Sequence, residues 1–120
     1  MRVLIADDHE MVRRGIRALI EQHEGWQVCG EATNGQEAID LAVSLLPELI
    51  VLDLSMPVMN GLQAAKKIRE LVPATKIIVL SMHDSPHARR EVQKTGAHAY
   101  VTKAAAAIEL SAAIKSLGLG

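Results

Sequence analysis

Three aspartates stand at the ends of two short apolar runs. Asp7 and Asp8 follow the run 3–6, and Asp53 ends the run 49–53. If these runs are neighbouring parallel strands, about 4.8 Å apart, their carboxyl ends bring three carboxylates together. Like charges at that range require a cation between them, and an all-oxygen cluster suits a hard divalent ion such as Mg²⁺. The sequence therefore predicts metal-assisted chemistry at one edge of a sheet.

Length and composition restrict the remaining possibilities. The 120 residues, 49% of them hydrophobic, suffice for one compact domain. Thirteen basic and fourteen acidic residues give a net charge of −1 without a basic run, so we expect no direct binding to nucleic acid. The N-terminus reaches Asp7 too soon for a signal peptide, and no apolar stretch approaches the ~20 residues of a membrane span. We expect a cytoplasmic protein without membrane contact, whose single cysteine, Cys29, is a buried filler.

Apolar runs of strand length alternate with helical patterns along the chain. The patterns predict strands at 3–6, 27–31, 49–53, 76–81 and 98–102. A stretch of helical period follows each strand, and the stretch at about 86–95 carries so little apolar surface that it should be the least firmly held helix. Gly96 is placed as the C′ glycine of that helix.

The alternation predicts an α/β fold in which both faces of a parallel sheet are covered by helices. Five βα units are too few for a barrel, so we expect a doubly wound, flavodoxin-like (βα)5 domain with strand order 2-1-3-4-5. In that order strands 1 and 3 are neighbours at the topological switch point, where ligands bind outside the carboxyl ends of the strands. Asp7, Asp8 and Asp53 lie at that point.

The ordered set of motifs resembles the receiver domain of bacterial two-component response regulators. The resemblance covers residues 1–120 and rests on Asp7-Asp8, Asp53 with Met56-Pro57 and Asn60-Gly61, Ser81, Tyr100 and Lys103. The stretches 5–9, 30–35 and 80–84 are similar to those of the LuxR/NarL/FixJ subfamily, in which a helix-turn-helix DNA-binding domain usually follows. That output domain is absent from this sequence, so the chain is either the receiver part of a longer regulator or a stand-alone receiver.

The resemblance implies a phosphorylation-switched signalling domain. A sensor histidine kinase would donate a phosphoryl group to Asp53, with Mg²⁺ or Mn²⁺ as the cofactor and transcription as the controlled output. The implied metal ligands are Asp7, mainly through water, and Asp8, Asp53 and the backbone carbonyl of Ser55. Lys103 would pair with Asp53 and then with the phosphoryl group, which Ser81 would also hydrogen-bond while Tyr100 turns inward. The domain would accept phosphate stoichiometrically rather than act as an enzyme. The sequence leaves open whether phosphorylation produces a homodimer.

Several alternatives stay open at the level of sequence. Asp7 or Asp8 taken alone is a common helix N-cap, and Ser81 taken alone is an ordinary strand-end hydroxyl. The domain as a whole is alternatively a phosphorylation-independent dimerisation or docking module, with exposed Ile108 and Ala112 as a self-association face. A phosphatase is disfavoured because the position two residues after Asp53, where a second acid is often found, is Ser55.

Other features bear on details of the site. The isomer of the Lys103–Ala104 peptide bond is left open because many receivers have a cis proline at this position. The bulk of Met82 predicts slow loss of the phosphoryl group. Because their spacing matches no metal motif, we interpret four histidines as loop or surface residues, namely His9, His83, His87 and His98.

Overall fold

The computed structural model describes residues 1–119 and contains a five-stranded parallel sheet in the order β2-β1-β3-β4-β5. Gly120, the last residue of the predicted domain, lies outside the described residues. The predicted doubly wound fold and its strand order are confirmed. The strands are β1 (Arg2–Ala6), β2 (Gln27–Ala32), β3 (Leu49–Asp53), β4 (Lys76–Ser81) and β5 (Ala99–Thr102). The helices are α1 (Glu10–Glu21), α2 (Gly35–Leu45), α3 (Gly61–Leu71), α4 (Pro86–Lys94) and α5 (Ala106–Ser116).

Both faces of the sheet are covered. Helices α1 and α5 pack on one face and bury apolar side chains such as Ile16, Ile20 and Leu110 against Val51. Helices α2, α3 and α4 cover the other face. The central strands β1, β3 and β4 are almost continuously apolar and buried. Polar functional side chains are therefore expected at the ends of these strands rather than within them.

Two predicted details of the last third of the chain are confirmed and one is wrong. Val92 is the buried residue of α4, as expected for the least firmly held helix, and Gly96 follows that helix with φ +86°. His98 does not belong to β5, which begins at Ala99. It lies in the loop before β5, where its half-buried imidazole accepts a hydrogen bond from Ile77 N–H at 3.0 Å.

Helix α3 approaches the sheet edge closely at its first residue. A Cβ at Gly61 would lie 2.2 Å from the carbonyl oxygen of Asp53, so only glycine fits without moving the backbone. The capping box formed by Asn60 and Gln63 fixes the start of the helix at this point. The position of α3 is therefore tied directly to the backbone of Asp53.

Among residues 1–119, no helix combines the length and the apolar character that crossing a membrane requires. The Lys103–Ala104 peptide bond is trans, because the described chain contains no cis peptide bond.

Two glycine substitutions test the close approach of α3. We expect Gly61→Ala to lower the free energy of unfolding by about 1–3 kcal/mol, because its methyl group overlaps backbone atoms. The matched control Gly15→Ala lies in α1 with open space around its Cβ and should raise stability by roughly 0.5–1 kcal/mol. Urea unfolding of both variants gives the comparison, and equal effects would contradict it.

Candidate functional site

The register of β1 and β3 brings two aspartates side by side at the carboxyl edge of the sheet. Ala6 pairs with Leu52, so the residues that follow, Asp7 and Asp53, are adjacent across the two strands. Asp7 is 0% exposed and Asp53 is 1% exposed. Asp8 is exposed. The structure thus places the predicted aspartates at one edge, with two of them in the protein interior.

The ammonium group of Lys103 lies between the two buried carboxylates. Its Nζ is 2.8 Å from Asp7 Oδ2 and 3.2 Å from Asp53 Oδ1, and its side chain is 13% exposed. Lys103 reaches this position from a 3₁₀ turn, Lys103–Ala105, that follows β5 directly. Lys103 therefore pairs with both carboxylates, and the shorter contact is to Asp7.

One cation does not neutralise two buried anions, and this imbalance adds to the effect of burial on the pKa of Asp53. Burial raises the pKa of Asp53 and the charge of Asp7 raises it further, although Lys103 opposes both effects. Burial by itself lowers the pKa of Lys103, but the hydrogen bond to Asp7 and the charges of both carboxylates outweigh it, so this pKa is raised. With both carboxylates ionised, the two anions exceed the one cation by one negative charge.

The remaining negative charge has the chemistry of a cation site. Asp53 Oδ2 is buried, and no described residue donates a hydrogen bond to it. Ser55, whose carbonyl is a predicted ligand, lies in the exposed loop that follows Asp53. Carboxylate and carbonyl oxygens together form the donor set that Mg²⁺ prefers. These residues fit a hard divalent cation.

His9, interpreted from the sequence as a loop or surface residue, also lies in a cluster with Asp7 and Asp8 that the sequence analysis did not predict. Ligand atoms of Asp7, Asp8 and His9 lie within 4.8 Å of one another, a group that does not include Asp53. The His9 Nδ1 atom is 3.0 Å from Asp8 Oδ1 and 3.3 Å from Asp7 Oδ1. Direct adjacency to the two aspartates was the available signal.

The helix-capping alternative for the two aspartates does not hold. The N-cap residue of α1 is His9, and its side chain makes no capping hydrogen bond. Asp7 Oδ1 instead accepts the backbone N–H of His9 at 2.9 Å. This bond fixes the turn Asp7–His9, here called the acidic turn, rather than the first turn of the helix.

Ser81 and Tyr100 meet at the same backbone carbonyl. Ser81 Oγ donates to the carbonyl oxygen of His83 at 2.9 Å and accepts the His83 N–H at 3.2 Å. The hydroxyl of Tyr100 donates to that same oxygen, and the guanidinium of Arg89 lies 4.5 Å from the centre of its ring. In this structure Ser81 bonds nearby backbone, which is the ordinary strand-end role.

Comparison with known proteins decides the family. The family model described as "Response regulator receiver domain" matches residues 3–115. This chain belongs to the response regulator receiver family. Its sequence is 38% identical to Response regulator UvrY of Escherichia coli (strain K12) over 120 residues, which are the whole chain and 55% of UvrY. It is 40% identical to Transcriptional regulatory protein LiaR of Bacillus subtilis (strain 168) over 120 residues, again the whole chain and 57% of LiaR.

A solved structure supports the same assignment. The receiver domain superposes with TM-score 0.92 and 35% identity on a two-component response regulator of the LuxR family from Aurantimonas sp. SI85-9A1. The match covers 97% of this chain and 83% of that one. The predicted LuxR-type resemblance is confirmed. The receiver chain spans about half the length of the curated relatives it matches.

The charge excess in the receiver site predicts that Asp53→Asn stabilises the protein. Removing a buried, incompletely paired charge should raise the free energy of unfolding at neutral pH by about 1–3 kcal/mol. The pKa of Asp53 is raised in the folded protein, so the folded protein binds this proton more tightly than the unfolded chain does. The contribution of Asp53 to wild-type stability therefore increases as the pH falls through the folded-state pKa toward the unfolded-state pKa.

The advantage of Asp53→Asn should therefore shrink at acid pH, which urea unfolding at several pH values measures. The matched control is Asp40→Asn, which alters an exposed carboxylate on α2 and should change stability by less than about 0.5 kcal/mol. A destabilised Asp53→Asn protein at neutral pH would refute the charge argument.

Proposed function

We propose that the domain accepts a phosphoryl group on Asp53 from the phosphohistidine of a sensor histidine kinase. The observation that carries the proposal is the buried Asp53 carboxylate, whose Oδ2 has no hydrogen-bond partner among the described residues and whose Oδ1 is paired with Lys103. A carboxylate oxygen forms the new bond to phosphorus while the donor P–N bond breaks, and the imidazole leaves. The family match supports this assignment.

The charge arrangement supports a role for Mg²⁺ or Mn²⁺ in this reaction. Asp8, Asp53 and the carbonyl of Ser55 would hold the ion, and Asp7 would act mainly through bound water. The bound cation supplies positive charge that offsets the repulsion between carboxylate and phosphoryl oxygens. Lys103, already beside Asp53, pairs with a phosphoryl oxygen from its own side.

The shared carbonyl of His83 supports a switch made of Ser81 and Tyr100. To hydrogen-bond the phosphoryl group, Ser81 must give up its bond to His83, the residue that also binds the Tyr100 hydroxyl. Displacement of this loop therefore affects both residues. Helix α4 is anchored through Val92, so the face formed by α4, β5 and α5 is the one that phosphorylation remodels.

The output proposed for this switch is transcription. The likeness to a LuxR-family response regulator and to the transcriptional regulator LiaR supports an output domain that regulates transcription. A helix-turn-helix fold for that domain, a cytoplasmic location and homodimerisation on phosphorylation are further parts of the proposal. DNA contact would be made through that domain. The domain would act stoichiometrically on its own aspartate, because Ser55 stands where a phosphatase would often carry a second acid.

Intact-mass measurement after incubation with acetyl phosphate and Mg²⁺ tests the proposal. We expect one added phosphoryl group per chain. No adduct should form when the metal is chelated before the reaction, and none should form in Asp53→Asn. Asp40→Asn, an exposed carboxylate on α2, should accept phosphate as the wild type does. No adduct in the wild type, together with no binding of beryllofluoride, would favour the phosphorylation-independent docking module, for which Ile108 is an exposed apolar residue on α5.

The lifetime of the acyl phosphate should depend on Met82. Its side chain is exposed immediately after Ser81, where its bulk would hinder the approach of water. We expect Met82→Ala to lose phosphate several-fold faster than the wild type, as followed by intact mass over time. Leu71→Ala, another exposed apolar truncation far along α3, is the control. An unchanged lifetime in Met82→Ala would remove this role.

A further inference from the structure

Arg13 of α1 binds the backbone of the acidic turn from outside the site. Its Nη1 donates to the carbonyl oxygen of Asp7 at 2.7 Å, and its Nε donates to Glu31 Oε1 at 3.0 Å. The side chain is only 14% exposed. The carbonyl that Arg13 binds belongs to the peptide group joining Asp7 to Asp8. Arg13 thus holds the plane of the one peptide that links the two acidic residues.

The second contact orients the guanidinium. Glu31 lies on β2, and its other oxygen, Oε2, is paired with Arg17 at 2.5 Å. Hydrogen bonding from Arg17 is the largest cause of the lowered pKa of Glu31; burial opposes it and Arg13 adds to it. The carboxylate is therefore a fixed, charged anchor that presents Arg13 in one orientation.

The network places positive charge near the acidic turn without adding net charge. Arg17 is also 3.7 Å from Glu21, so two guanidinium groups face two carboxylates. A metal ion bound at Asp8 would therefore experience little net repulsion from Arg13. A planar guanidinium can donate to a carbonyl and a carboxylate at once in a fixed geometry. A lysine ammonium can also contact both groups, but it does not fix their relative orientation in this way.

We propose that Arg13 is a positioning residue for the divalent cation of the receiver site. By holding the Asp7–Asp8 peptide, it sets the direction from which the Asp8 carboxylate leaves the backbone and lowers the ordering cost of cation binding. Residues that orient metal ligands typically change affinity 10–100-fold when removed. The inference rests on the proposed function, since it concerns the cation of that site.

Metal titration of the unphosphorylated chain tests the inference without relying on activity. Free Mn²⁺ followed by electron paramagnetic resonance gives Mn²⁺ affinity, and competition gives Mg²⁺ affinity. We expect Arg13→Ala to bind both ions about tenfold more weakly. Arg13→Lys, which keeps the charge but not the planar fork, should recover only part of that loss. The control Arg14→Ala removes an exposed neighbour that pairs with Glu10, and it should match the wild type.

A second readout separates positioning from a merely structural role. In phosphorylation by acetyl phosphate, Arg13→Ala should require about tenfold more Mg²⁺ for half-maximal rate, with little change at saturating Mg²⁺. A protein that is only destabilised would lose rate at all Mg²⁺ concentrations. If Arg13→Ala does not fold, Glu31→Gln provides a second test, because it weakens the anchor for Arg13 and keeps the side chain polar. It should also raise the Mg²⁺ concentration needed for half-maximal rate.

The outcomes distinguish this inference from the proposed function. Equal Mg²⁺ affinity in wild type, Arg13→Ala and Arg14→Ala would overturn the role of Arg13 and leave phosphorylation of Asp53 standing. In a chain where Arg13→Ala is unfolded, an unshifted Glu31→Gln would overturn the role in the same way. A wild-type chain that binds no divalent cation would overturn both.

Discussion

One ammonium group between two buried carboxylates is the interaction on which the site depends. The β1–β3 register sets Asp7 beside Asp53, away from water, and Lys103 contacts both. Because one positive charge faces two negative ones, the pocket suits a further cation. The length of β5 matters for the same reason, since this strand delivers Lys103 to the edge where β1 and β3 end.

The backbone around these carboxylates is held from two sides. Helix α3 contacts the carbonyl of Asp53 through Gly61, and α1 contacts the carbonyl of Asp7 through Arg13. By contrast, Val92 is the single buried residue of α4. The backbone that carries the buried carboxylates is held in place, whereas α4 is weakly anchored. This combination suits a domain in which a change at the carboxylates shifts α4, because the weakly held helix moves at the lowest free-energy cost.

The fold was largely predictable because the residues that begin and end its helices and strands are local sequence signals. Continuous apolar runs indicate strands buried on both faces, and turn residues such as Gly96 mark where helices stop. The errors fall where tertiary contacts replace local signals. His98 reads as the start of a strand, but its imidazole binds the backbone of the neighbouring strand and β5 begins one residue later. Gly61 gives no sequence signal of how closely α3 approaches Asp53.

Hydrophobic period and adjacency along the chain were enough to predict the fold class and to identify the acidic residues. The strand order followed from the rule for doubly wound sheets of this size. The folded structure was needed to show three contacts: Lys103 is shared between Asp7 and Asp53, His9 rather than an aspartate occupies the N-cap of α1, and Arg13 holds the acidic turn. These contacts depend on strand register, burial and side-chain direction, which join segments distant in sequence and leave no periodic trace along the chain.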